Sequence, residues 1–334
     1  MNRNQQERPD LTEEVRDHVI AKLAEVVHDG YVFPEIAARI SSSVKERHTR
    51  GEYSEALDGE AFAALLTKHL QEFNQDMHLR VEWEAPTAAE PSGESADLSD
   101  LKERTRLGNN CIRKVERMPG NVGTMNLTGF VPPDWGTETL IAAMAFLANT
   151  SALIIDLREC RGGHVRMVPI LCSYFFDEPT HLSTFYWRPD DEITQSWTMP
   201  YVPGKRLPNI PLYLLTSKET FSAGEDFTYT LQAHGRAQIV GETTRGGAHP
   251  GQMHNLGAGF TAFIPSGRPT NPITGTNWER AGVIPDVPAA QEEALDIAYA
   301  LALQDVIDGI APDASSPLVR VRDEARETLA KLSS

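Results

Sequence analysis

The chain has 334 residues, 40% of them hydrophobic, with 47 acidic against 31 basic side chains and a formal charge of -16. That apolar content supports a substantial core and two unequal domains and excludes a disordered chain. The acidic balance excludes nucleic acid and anionic membrane surfaces as general partners, because both would be repelled over most of the surface.

Residues 1–12 carry no apolar segment behind their basic residues, and no apolar run approaches the length of a membrane span, so no membrane span and a cytoplasmic location are expected. Cys111, Cys160 and Cys172 are odd in number and lack CxxC spacing. Reduced thiols fit them better than a disulfide framework, and no metal or organic cofactor is expected.

Apolar residues recur at Val15, Val19, Leu23, Val26 and Val27, the stripe of an amphipathic helix opening at an Asp10–Glu13 capping box and closing near Gly30. A second helix is predicted from Pro34 to before Gly51, and a third from an Asp58 cap through Phe73. The alternation from His78 to Trp83 predicts a short strand, which closes an N-terminal helical subdomain over residues 1–83.

Residues 84–106 are rich in Pro, Ala, Ser, Gly and acids without periodicity and read as a linker. Beyond it, 112–118 and 122–127 around Pro119-Gly120-Asn121 predict a hairpin. Helices near 137–147 and 165–176 then alternate with strands at 152–157, 212–215 and 237–241, which predicts an α/β core over 107–334 with a largely parallel sheet. Two ladders interrupt it, 182–188 with 193–199, and 259–264; helices near 289–306 and 321–332 close the chain.

The chemistry concentrates in three loops. Ser222, in Thr220-Phe221-Ser222-Ala223-Gly224-Glu225, follows a buried strand and opens a helix, where free N–H groups and the helix dipole favour developing negative charge. Ser222 and Glu225 also fit a plain capping box. Gly162-Gly163, after the strand at 152–157, can turn sharply and present bare N–H groups of the oxyanion-hole kind. The loop from Gly241 to Gly251 contains His249 but no P-loop lysine, which argues against phosphate binding. His78 stands where helix gives way to strand, and Glu279 beside Trp278 in a downstream loop.

In order, DMHLRV, ALIIDLRECRGG, TSKETFSAGEDF, GRAQIVGETTRGGAHPG and WERAGVIPD resemble the tail-specific or C-terminal-processing serine peptidases, most closely the branch like interphotoreceptor retinoid-binding protein. The resemblance spans about residues 11 to 300 and implies a crotonase-like ββα core acting on a peptide or protein substrate. It implies Ser222 as nucleophile, with Ala223 and Gly163 as the oxyanion hole and Gly162 as the close alternative. Where lysine-dyad members carry their base, this chain has Gly247. The tricorn-like members instead use a histidine with a distant glutamate, roles that map onto His78 and Glu279.

His249 remains the alternative base or, with Glu225, a supporting residue. Three features depart from the family pattern: Met77 replaces the serine before the tricorn-like histidine, Cys160 replaces the usual asparagine of the turn, and residues 84–106 are too short for a PDZ insertion. The rival functions are a carrier of a hydrophobic ligand and an acyl transferase or cyclase on the same scaffold. A homo-oligomer is compatible with all three.

Overall fold

The computed structural model describes residues 11–85 and 94–332. Asp10 and residues 86–93 of the expected linker lie outside them. Helix α1 (Glu13–Gly30) is capped by Thr12, whose hydroxyl accepts the Val15 N–H at 3.3 Å. Helix α2 (Pro34–Thr49) starts on a proline that has no N–H to leave unsatisfied. Helix α3 (Gly59–Gln71) is capped by Asp58, which accepts the Ala61 N–H at 2.8 Å, and strand β1 (Arg80–Trp83) follows.

The linker reading needs correction at its C-terminal end, where residues form helix α4 (Glu94–Leu107). Its low apolar content hides any amphipathic period. What favours helix there is charge order, with Arg104 and Arg106 in the last turn and Arg106 Nη2 paired to Glu103 Oε1 at 2.7 Å.

The hairpin is β2 (Ile112–Met118) with β3 (Val122–Leu127), turning at Gly120 in the left-handed region, φ 73°. Then come α5 (Pro133–Leu147), β4 (Ala152–Asp156), α6 (Met167–Cys172), β5 (His181–Trp187), β6 (Glu192–Trp197) and β7 (Leu212–Thr216). Helix α7 (Ala223–Ala233) leads to β8 (Gln238–Gly241), β9 (Gly251–Gly257), β10 (Phe260–Pro265), β11 (Gly267–Thr270) and β12 (Val287–Pro288). Helices α8 (Ala294–Gly309) and α9 (Ser316–Leu332) end the described chain.

Within the described residues the chain forms two compact units, one from Met1–Gly93, Phe185–Thr194 and His249–Pro269, the other from Glu94–Thr184, Gln195–Ala248 and Thr270–Ser334. The second unit is the α/β core. Its sheet has the order β12-β8-β7-β4-β3-β2, parallel throughout except for the antiparallel β2–β3 pair. Strand β4 carries Leu153, Ile154 and Ile155 and β7 carries Leu212–Leu215, all buried, as a parallel sheet covered on both faces requires. Strand alternation divides them: Ile155 and Leu214 pack with Leu171 and Phe227, while Ile154 and Leu215 pack with Ala302 and Leu303. Each such aliphatic side chain contributes roughly 1.5–3 kcal/mol of burial.

The first unit packs α1, α2 and α3 around the sheet β1-β10-β9, with Arg80 opposite Phe263 and Trp83 opposite Phe260. Phe260 meets Phe62 edge-on at a 5.5 Å centroid distance. The helical subdomain therefore extends beyond residues 1–83. The partner of β1 is a strand far along the chain, a pairing that local periodicity does not encode. A third ladder has the order β11-β5-β6.

Candidate active site

In the second unit, β7 runs fully buried to Thr216 and the chain then turns through Ser217–Phe221 into α7. Side chains stitch this turn to the loop after β4. Ser217 Oγ donates to the Arg158 carbonyl at 2.5 Å, Thr220 Oγ1 to the Leu157 carbonyl at 2.8 Å, and the Phe221 N–H to the Cys160 carbonyl at 3.0 Å. The hydroxyl residues before Ser222 thus hold two strand ends together.

Ser222 sits half-buried at the N-cap of α7 with φ 54° and ψ -120°. A serine at positive φ carries strain on the order of 1–3 kcal/mol, which persists only where surrounding contacts over-determine it. Gly162 is one reason for it: a Cβ there would lie 2.6 Å from the Ser222 Cβ and 3.0 Å from the Phe221 carbonyl, and its own φ is +98°. Serine and glycine backbones are in direct apposition, and only glycine fits.

The Gly162 N–H hydrogen-bonds the buried Cys160 thiol, and its carbonyl accepts the Phe130 N–H at 2.8 Å. Burial pushes the Cys160 thiol up to about 12, so it stays protonated. Gly163, exposed and at φ +131°, lies against Phe130, whose carbonyl accepts the His164 N–H at 2.6 Å. Ala223, next to Ser222 in sequence, supplies the first N–H of α7.

Glu225 organises the rear of the turn. Its buried carboxylate accepts the Ser222 N–H at 2.8 Å, Thr244 Oγ1 at 2.5 Å, and the N–H groups of Gly246 and Gly247 at 2.6 and 2.9 Å. Burial raises its pKa above the usual carboxylate value, against the pull of those donors. The capping box expected of Ser222-x-x-Glu225 is present, and the same carboxylate also gathers the glycine-rich loop. Glu279 Oε2 accepts the Ala248 N–H at 2.6 Å, and Trp278 Nε1 donates to the Gly247 carbonyl at 2.8 Å, so both tie down that loop just before His249.

His78 and His249 belong to the first unit and are both buried, at 4% exposure each. They meet on Asp76, a residue that sequence reasoning did not single out. Asp76 Oδ1 accepts the His78 N–H at 3.0 Å, and Oδ2 pairs with His249 Nδ1 at 2.8 Å and accepts the Tyr31 hydroxyl at 3.0 Å. Burial pushes the Asp76 carboxyl up, but the bond to His249, the charges of both histidines and the Tyr31 hydroxyl bring it below its ordinary value. The available signal was an aspartate two residues before His78, a spacing typical of an Asx turn.

Residues 121–289 match the model of peptidase family S41, and residues 10–107 match the N-terminal domain of these peptidases in eukaryotic IRBP. The chain belongs to peptidase family S41 and is by class a serine-type peptidase acting on peptide or protein. Solved structures share its fold. The photosystem II D1 C-terminal processing protease is 15% identical, with 84% of this chain and 94% of that one covered at a TM-score of 0.54. Mature CPAF in complex with lactacystin is 13% identical over 88% and 98%, with a TM-score of 0.57. A lipoprotein from Streptococcus agalactiae is 11% identical over 91% and 99%, also at 0.57. No helix among the described residues is long and apolar enough to cross a membrane.

Proposed function

We propose that the chain cleaves peptide bonds through an acyl-enzyme on Ser222, with a histidine base and a backbone oxyanion hole, as a member of the branch that resembles interphotoreceptor retinoid-binding protein and the tricorn-like peptidases on a crotonase-like core. The observation that carries this reading is Ser222 itself, held at positive φ against Gly162 at the start of a helix. A serine needed only as a cap has no reason to be strained, whereas a nucleophile gains exposure of its hydroxyl from such a turn.

His78 takes the Ser222 Oγ proton as Oγ bonds to the scissile carbonyl carbon, because a serine hydroxyl is a poor nucleophile without a neighbouring base. The N–H groups of Ala223 and Gly163 stabilise the tetrahedral oxyanion. Imidazolium then protonates the leaving amine as the C–N bond breaks, and water, deprotonated by the same ring, releases the acyl group. Glu279 acts as the orienting acid.

A fluorophosphonate probe tests the reading. Wild-type protein should gain one probe mass at Ser222, Ser222→Ala none, and His78→Ala should label at least about 10²-fold more slowly while remaining folded. Wild-type protein that stays unlabelled yet binds an apolar ligand as tightly as Ser222→Ala does would replace the enzyme with the carrier.

A further inference from the structure

Asp76 is the most completely buried carboxylate of the first unit that meets both candidate histidines, at 0% exposure. Three groups surround it: the His78 N–H at 3.0 Å on Oδ1, and His249 Nδ1 at 2.8 Å with the Tyr31 hydroxyl at 3.0 Å on Oδ2. Asn74 Nδ2 in turn donates to the Tyr31 hydroxyl, and Phe33 packs edge-on against the His249 ring at 5.3 Å. A carboxylate held this way is pre-organised and does not have to reorient when charge develops nearby.

We propose that Asp76 is a positioning residue of the peptidase, clamping the His78 backbone through one oxygen and the His249 ring through the other, so that its fixed negative charge stabilises the imidazolium formed at His78. This rests on the reading of Ser222 and His78 given above. The Oδ1 contact sets where the His78 turn sits, and the charge acts across the two-residue spacing. His249, with Nδ1 directed at Asp76, completes the carboxylate's donor set. No proton leaves the pair: the Ser222 Oγ proton moves to His78 and then to the leaving amine, and Asp76 remains an anion throughout.

Among the charges in contact with these residues are guanidinium groups. Arg80 donates to the His78 carbonyl at 3.3 Å and lies 4.8 Å over the Phe263 ring, which itself packs on His78. Arg188 donates to the Tyr31 carbonyl, and Arg268 lies 5.8 Å over Phe33. These cations oppose an imidazolium, so the anion of Asp76 has a definite task.

The test is the rate constant for fluorophosphonate labelling of Ser222 as a function of pH, in the full chain, for wild type, Asp76→Asn and Tyr31→Phe. Asp76→Asn keeps the size and removes the charge; labelling at neutral pH should fall at least about tenfold, and the acid limb should move to lower pH because imidazolium is no longer favoured. Tyr31→Phe removes a donor and leaves a less neutralised carboxylate, so its acid limb should move the opposite way. Opposed shifts are a signature that mere loss of packing does not produce. An acid limb at the wild-type position in both variants overturns the proposal, as does a pair that slow equally without moving it. Should Asp76→Asn fail to fold by circular dichroism, the direction of the Tyr31→Phe shift decides alone. Unlabelled wild type would remove the peptidase reading and this proposal with it, whereas labelled wild type with unmoved limbs removes only the proposal.

Discussion

Replacing Asp226 by Asn should make the protein more stable at alkaline pH by removing a loss of stability that sets in as pH rises. Asp226 stands one turn into α7, its N–H donating to the Ser222 carbonyl at 2.9 Å, and its side chain is buried with Thr230 Oγ1 at 3.4 Å as its hydroxyl partner. Among the described residues no cation compensates that burial, and a charge on Asp226 would in turn help keep the buried Cys172 thiol protonated. Burial therefore raises the carboxyl from its ordinary 3.8 to about 7. In the unfolded chain the group loses its proton near 3.8, while in the folded chain it keeps it to about 7. Between those values the folded state binds more protons, so the contribution is fully present below the unfolded value and is lost as pH rises through the folded one.

Each pH unit of difference is worth about 1.4 kcal/mol, which sets a ceiling of roughly 4 kcal/mol on the loss by pH 8. Part of that loss falls below pH 5, and with water entry and local relaxation the figure expected between pH 5 and pH 8 is about 1–2.5 kcal/mol. Urea unfolding at pH 5 and pH 8, followed through protection of α7 amides, reads it out. Wild type should lose stability between the two pH values relative to Asp226→Asn, and parallel curves for the two proteins would refute the assignment of that carboxyl as the source.

Two further substitutions probe the turn. Gly162→Ala places a methyl group 2.6 Å from the Ser222 Cβ at a φ of +98°. It should cost more than about tenfold in Ser222 labelling while the α7 amides stay protected, and labelling at the wild-type rate would show that the apposition is not needed. Glu225→Gln replaces a carboxylate that accepts four hydrogen bonds by an amide whose NH2 must face a donor. A loss of about 1–3 kcal/mol and faster hydrogen exchange at residues 244–247 are expected, and unchanged exchange would mean that the loop is held elsewhere.

Periodicity and turn chemistry made the helices and the parallel sheet legible. The stripes of α1 to α3, the apolar runs of β4 and β7 and the Pro-Gly-Asn turn between β2 and β3 are each local patterns, and each has a short-range physical cause. Strand β9 leaves no such local pattern. β9 is an edge strand with mostly exposed or half-exposed residues and a glycine at each end, so no buried face imposes an alternation on its sequence. Helix α4 was hidden because its stabilisation comes from charge order and leaves no apolar stripe. The five ordered motifs pointed to family S41, and the matched family model covers the stretch that carries four of them. The Asp-x-His spacing shows only a local turn at Asp76, whereas its bond to His249 is long-range and goes with the β1–β10 pairing, which a single sequence does not encode.

The start of α7 collects several unfavourable features in one place: a serine at positive φ, a buried carboxyl at Asp226 and a buried carboxylate at Glu225. None of them helps the core, so something must hold them there. The loops after β4, β7 and β8 do so through polar side chains. Ser217 and Thr220 bind carbonyls of the neighbouring loop, and Thr244 donates to Glu225 while accepting the Val283 N–H at 2.7 Å. Because the strands beneath are buried on both faces, the ends of those loops cannot drift, and a local geometry worth a few kcal/mol of strain can be sustained against a sheet that contributes far more. A serine that merely capped a helix would be better served by relaxed β-region dihedrals, which Thr12 and Asp58 both adopt at the N-caps of α1 and α3. The contrast between those two relaxed caps and Ser222 is what the proposed nucleophile requires of its turn.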